Sequence, residues 1–209
     1  MSENDEGVDQ SIAELVRKQT GPKGIEFILK YVYDLNASDT ILIDTASKFN
    51  ILKQPNKTYQ HIVNLSKVNK IRWINKFFLS VNFKLALNGI YVGRAETIKE
   101  REKRIYGKRK RPYADVYYFL DFIFHRVVPK LGWFKKIYFF VTKGRRRVLS
   151  RAEILGRLVS CGFRIVEEVE IDNMLYFAVK KIESGTTTEN PSYGPLFRMR
   201  RIGLNGKVI

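Results

Sequence analysis

Two periodicities divide the chain. Short apolar runs at residues 40–44 (TILID), 61–65 (HIVNL), 90–93 (IYVG) and 136–142 (KIYFFVT) predict buried strands. Residues 49–52 predict a further short strand. Two longer runs, 163–171 and 174–181, are separated only by Asp172-Asn173. That is the spacing of a two-residue hairpin.

Elsewhere apolar residues recur every three or four positions. Residues 11–18 predict a short helix. Residues 24–35 predict a second, with Ile25, Ile28, Leu29 and Val32 on one face. Ser66 is placed to cap a long helix through Val68, Ile71, Ile74, Phe78, Val81 and Leu85, which Asn88-Gly89 would close in a left-handed conformation. Residues 96–106 form a charged helical pattern. Pro112 opens another, 113–128, which stops at Pro129. Ser150-Arg-Ala-Glu153 is a capping box with Leu149 and Ile154 at staple positions, and its helix ends at Cys161-Gly162.

Strands alternating with helices predict an α/β fold, Rossmann-like, with a mostly parallel sheet, helices on both faces and a C-terminal antiparallel hairpin adding an edge strand. The expected organisation is a flexible tail at 1–19, an α/β domain at 20–182, a linker at 183–192 (containing SGTTTENPS) and a separate basic segment at 193–209.

Composition sharpens this picture in three ways. With 44% hydrophobic residues in 209, the chain can bury a sizeable core. Its 38 Lys+Arg against 21 Asp+Glu give +17, which favours an anionic partner: nucleic acid, an acidic membrane surface or a phosphorylated substrate. The lone Cys161 excludes an intrachain disulfide and a cysteine-clustered zinc site. The acidic start is unlike a secretory signal, and no run reaches the roughly 20 apolar residues that span a bilayer. A cytoplasmic chain, soluble or peripheral on the inner face of the membrane, is expected.

Candidate chemistry is sparse. There is no GxGxxG and no GxxxxGK[ST], and Gly21-Pro-Lys-Gly24 does not follow a predicted strand. Asp44 ends a strand where a ribose-binding carboxylate could sit; a satisfied strand-end carboxylate is the simpler reading. His125 lies four residues after Asp121 on one helix face. The pair could be a polarised base, and a structural Asp–His hydrogen bond is the simpler reading. His61 opens a strand.

The basic residues concentrate. Residues 99–111 hold eight Lys/Arg, ending in Lys108-Arg109-Lys110-Arg111, too dense a run for charge pairing to explain. We expect it to face an anionic surface. Lys143, Arg145, Arg146 and Arg147 form a second cluster. RNA binding would call for aromatics interleaved on a sheet; here they gather in the 113–128 helix, which argues against a nucleic-acid partner. That helix is apolar nearly all round. It reads as a helix buried against a partner element or, alternatively, as one lying in a membrane interface.

Tyr193-Gly194-Pro195-Leu-Phe197-Arg198-Met-Arg-Arg201-Ile-Gly203-Leu-Asn205-Gly206-Lys207 resembles the opening of the bacterial sugar transferase family, the polyprenyl-phosphate sugar-1-phosphate transferases. The stretches TILIDTASKFNI, IVNLSKVNKIRWINKF, NGIYVGRAET, RVVPKLG and TKGRRRVLSRAEILGRL resemble the N-terminal extension of a Bacteroidota-type branch of that family. The extension in turn resembles the later half of a class I methyltransferase without its glycine-rich methyl-donor loop.

The resemblance implies a role in exopolysaccharide or lipid-linked glycan synthesis. A nucleotide sugar and polyprenyl phosphate would be the substrates of the full-length enzyme. Arg198, Arg201 and Lys207 would be its first phosphate contacts. The resemblance implies no cofactor for this chain, and a divalent cation, Mg, for the complete enzyme. Two departures stand out. A hydrophilic linker occupies the place of the family's membrane-embedded hairpin, and the catalytic Asp-Glu pair would lie beyond residue 209. The chain alone is therefore expected to be inactive. The alternatives are an S-adenosylmethionine-dependent methyltransferase-like domain and a basic nucleic-acid-binding module.

Overall fold

A computed structural model describes residues 3–55, 59–142 and 147–185. The segment 193–209, with Arg198, Arg201 and Lys207, lies outside the described residues, as do Lys143, Arg145 and Arg146.

Five strands form one mixed sheet: β1 (Thr40–Ile43), β2 (Tyr59–Lys67), β3 (Leu85–Ala95), β4 (Phe163–Ile171) and β5 (Met174–Lys181), in the order β1-β2-β3-β5-β4. β1, β2 and β3 pair in parallel, with Ile41 opposite Ile62 and Val63 opposite Val92. β5 runs antiparallel to both β3 and β4. Four strands thus point one way and β5 alone points the other. The sequence predicts an antiparallel strand at the sheet edge; instead β5 lies inside the sheet and β4 takes the edge.

Strand alternation sends residues to two separate cores. On one face Ile62, Tyr91, Leu175, Phe177 and Val179 pack with residues of α3 (Lys48–Leu52), α4 (Ile74–Lys84) and α8 (Arg151–Ser160). On the other, Val63, Leu65, Val92, Tyr176 and Ala178 pack with α1 (Glu3–Thr20) and α2 (Pro22–Tyr31) through Val16, Phe27 and Ile28. The connections that follow β1, β2 and β3 all deliver their core helices to the first face. The second is covered from the N-terminus. The expected 11–18 helix therefore extends over Glu3–Thr20, and Val16 within it is fully buried.

Between β3 and α8 the chain makes a helical excursion: α5 (Ile98–Lys108), α6 (Tyr113–Phe122), a π-helical turn over Ile123–Val127, a 3-10 turn over Val128–Lys130 and α7 (Gly132–Thr142). The strand expected at 136–142 is thus the second half of a helix. A run of five apolar residues fits either period, and Phe134, Ile137 and Val141 fall three and four apart. Residues 49–52 are likewise helical, because the Ser47 side chain accepts the Phe49 N–H and caps them. The long helix expected from Ser66 is broken into a 3-10 turn at Val68–Lys70 and α4, and β3 starts directly at Leu85. Asn88 is left-handed (φ 68°), as the Asn-Gly pair suggests, but lies inside the strand.

Local signals hold elsewhere. Ser150 Oγ accepts the Glu153 N–H at 3.1 Å, while Leu149 and Ile154 are buried. Asp172 and Asn173 both adopt positive φ, 49° and 58°, as a type I′ hairpin turn requires.

Candidate functional site at the carboxyl edge of the sheet

In an open α/β sheet, ligands bind outside the carboxyl ends of the parallel strands, where the strand order reverses and leaves a crevice. Here β1, β2 and β3 follow one another in a single direction, and the return is made by the β4–β5 hairpin. No such reversal separates the described parallel neighbours, and side chains of the protein itself fill the edge.

Asn64, near the end of β2, uses both ends of its amide. Its Oδ1 accepts the Thr45 and Ser66 N–H groups at 3.2 and 3.1 Å, and its Nδ2 donates to the Thr45 carbonyl at 3.3 Å. The turn after β1 is thereby tied to β2. Arg94, near the end of β3, donates from Nε to the Leu65 carbonyl at 2.7 Å and from Nη1 to the Gln19 carbonyl at 2.9 Å. The same Nη1 reaches Tyr176 Oη, which donates to the Thr20 carbonyl. The end of α1 is thus fastened over β2, β3 and β5. Gly24 permits this approach: a Cβ there would stand 2.7 Å from Tyr176 Oη. A concavity lined by Thr20, Ile28, Asn64, Arg94 and Tyr176 has no space for a molecule of water's size. Beneath it, Tyr91 is fully buried among Phe77, Phe78, Phe163 and Phe177, and burial pushes its hydroxyl well above the usual range.

A second network binds the helical excursion to the end of β3. Asn69 Nδ2 donates to the Glu96 and Arg147 carbonyls, both at 2.8 Å, and Asn69 Oδ1 accepts the Glu96 N–H at 2.7 Å. The Glu96 carboxylate takes Arg104 Nε at 2.7 Å. Arg101 grips Asp121 with two bonds of 2.6 Å, and both side chains are under 10% exposed. Burial disfavours the Arg101 cation, but Asp121 and Glu96 more than offset it and hold its pKa above the ordinary value. Burial also lowers Lys67, at the end of β2, against the opposing pull of Glu96. Glu100 accepts the Thr97 N–H, closing a second capping box at the head of α5.

The Asp121–His125 pair exists, at 3.8 Å between Oδ1 and His125 Nε2, with Nδ1 3.1 Å from Tyr138 Oη. Asp121 is already committed to the Arg101 fork, so its charge is spent on a cation rather than on polarising an imidazole. The pair reads as part of the clamp. Asp44 is exposed and accepts Gln19 Nε2 at 3.4 Å. His61 is half-buried, and burial lowers its pKa. Among the described residues no three His, Cys, Asp or Glu side chains converge on a point that could hold a metal.

Lys108, Arg109, Lys110 and Arg111 are all exposed, running from the end of α5 to the start of α6. The Arg109 guanidinium stacks 3.7 Å from the Tyr117 ring centre. Arg94, Asn64, Asn69 and Glu96, which organise the edge, escape sequence reasoning. Their one signal is position: each is a polar residue at the carboxyl end of an apolar run. No protein-family model matches the chain, and no curated protein matches it.

Proposed function

We propose that this chain carries a Rossmann-like, methyltransferase-like α/β domain serving as a non-catalytic scaffold at the front of a sugar-1-phosphate transferase. The observation that carries the scaffold reading is the carboxyl edge: Asn64, Arg94 and the end of α1 occupy the ground a nucleotide or methyl donor would need. The single antiparallel strand in the closing hairpin supports the methyltransferase-like arrangement. The transferase reading rests on the resemblance of residues 194–207 to the family's opening motif.

On this reading Arg198, Arg201 and Lys207 neutralise phosphate charge on the nucleotide sugar and polyprenyl phosphate. The carboxylate nucleophile and the Mg ion belong to the catalytic segment that follows. Two measurements separate the alternatives. Titration calorimetry with S-adenosylmethionine is expected to give no heat; micromolar binding would turn the reading to a methyltransferase. With residues 193–209 joined to the catalytic segment of a family member, Arg201→Ala and Lys207→Ala are each expected to cut nucleotide release about 100-fold, as loss of one charge-stabilising donor does. Unchanged turnover in both would remove the transferase reading.

A further inference from the structure

The excursion between β3 and α8 is built unlike the rest of the molecule. Half of the large apolar side chains that stay exposed among the described residues fall between positions 113 and 141. They are ordered. On α6, Tyr113, Val116 and Leu120 share a stripe, and Phe119 flanks it; on α7, Phe134 and Ile137 share a stripe and Phe140 flanks it at 86% exposure. The π-helical turn after α6 is tied to α7 where half-exposed Phe124 meets buried Tyr138 edge-on, with ring centres 5.5 Å apart. The Arg101–Asp121 pair fixes α6 to α5. So the apolar stripes belong to a braced platform.

Its charge says what covers it. Lys108-Arg109-Lys110-Arg111 runs into α6, and all four side chains are exposed. A two-fold dimer through this face would bring these cations against their own copies. Base stacking would account for the exposed rings of Phe119, Phe134 and Phe140 but not for Val116, Leu120, Ile137 and Val141, aliphatic side chains that a nucleic acid would leave in water. An acidic lipid leaflet satisfies both features: acyl chains for the stripes and anionic headgroups for the flanking cations. Helices of 10 and 11 residues are about 15 Å long, too short to cross a bilayer and suited to lying in its interface. No described helix is long and apolar enough to span a membrane.

We propose that α6 and α7 dock this domain in-plane on an anionic membrane surface, through their apolar stripes and the Lys108–Arg111 cations. This is independent of the transferase reading.

The test is flotation of the 209-residue chain with vesicles of phosphatidylcholine alone or mixed with phosphatidylglycerol, at low and physiological salt. Binding to the mixed vesicles is expected, weakening with salt. Replacing Lys108, Arg109, Lys110 and Arg111 by Gln is expected to lower it at least about tenfold. The triple variant Phe119→Ser, Leu120→Ser, Phe140→Ser, whose side chains are exposed and whose fold circular dichroism should show intact, is expected to abolish it. Three outcomes overturn the proposal: no flotation with anionic vesicles at low salt, full flotation of the triple variant, or a dimer by light scattering that the triple variant converts to monomer. Displacement from vesicles by single-stranded RNA at equal salt, with RNA binding lost in the triple variant, would assign the face to nucleic acid instead.

Discussion

Arg101 and Asp121 show how much of the carboxyl edge rests on one pair. Both are almost fully withdrawn from water, so losing one leaves the other's buried charge without its main counterion. Asp121→Asn should therefore cost about 3–5 kcal/mol, read as a lower urea midpoint. Replacing both by apolar residues of similar volume should cost clearly less. Glu153 gives a pH signature. Burial raises its carboxyl, but Arg157, Arg147 and Arg126 more than offset this, so its folded pKa lies below the usual value near 4.5. A depressed carboxylate contributes stability above its unfolded pKa, and that contribution fades as pH falls through the folded value. Wild type should thus exceed Glu153→Gln in urea midpoint at neutral pH, and the gap should close below about pH 4.5. At this scale the sequence is half-readable. Asp121 and His125 are visible as an i,i+4 pair, whereas Arg101, twenty residues earlier, is what the carboxylate actually holds. Local spacing carries no information about a partner on another element.

Among elements, the hairpin offers the cleanest experiment. Asp172 and Asn173 are both left-handed. Asn173→Gly should be neutral or stabilising by up to about 1 kcal/mol, since glycine adopts this conformation without strain. Asp172→Val should cost roughly 1–2 kcal/mol, because a β-branched residue is strained there. Thermal unfolding of the two variants decides it. The hairpin and the Ser150 cap were legible because their causes are contained in four residues. α7 was not: the five consecutive apolar residues 137–141 satisfy a buried strand equally well, and the residues that extend the helical period, Trp133 and Phe134, lie outside that run. The break at residues 71–73 was likewise hidden, because the apolar spacing continues across it.

At the scale of the molecule, the three-layer arrangement follows from the alternation of strand and helix, and both sheet faces are covered. The route to that covering was not legible, because helices α1 and α2 reach the second face before any strand has formed. Their anchorage is testable. Arg94 and Tyr176 bond to the Gln19 and Thr20 carbonyls, so a chain beginning at Gly21 should lose those contacts together with buried Val16. Its melting temperature should fall by at least about 5 °C, and amides at the ends of β2 and β3 should exchange faster than in the full chain. A truncated chain that melts and exchanges like the full one would show that α1 contributes nothing to the edge.

The placement of β5 has a kinetic corollary. The last described strand is also an interior one, buried along most of its length and bonded on both sides. While the polypeptide is being synthesised, β3 must wait with a bare flank until nearly all of the domain has emerged. Nascent chains halted before Met174 should therefore be sticky and chaperone-dependent, and solubility should return abruptly once Lys181 is free to insert.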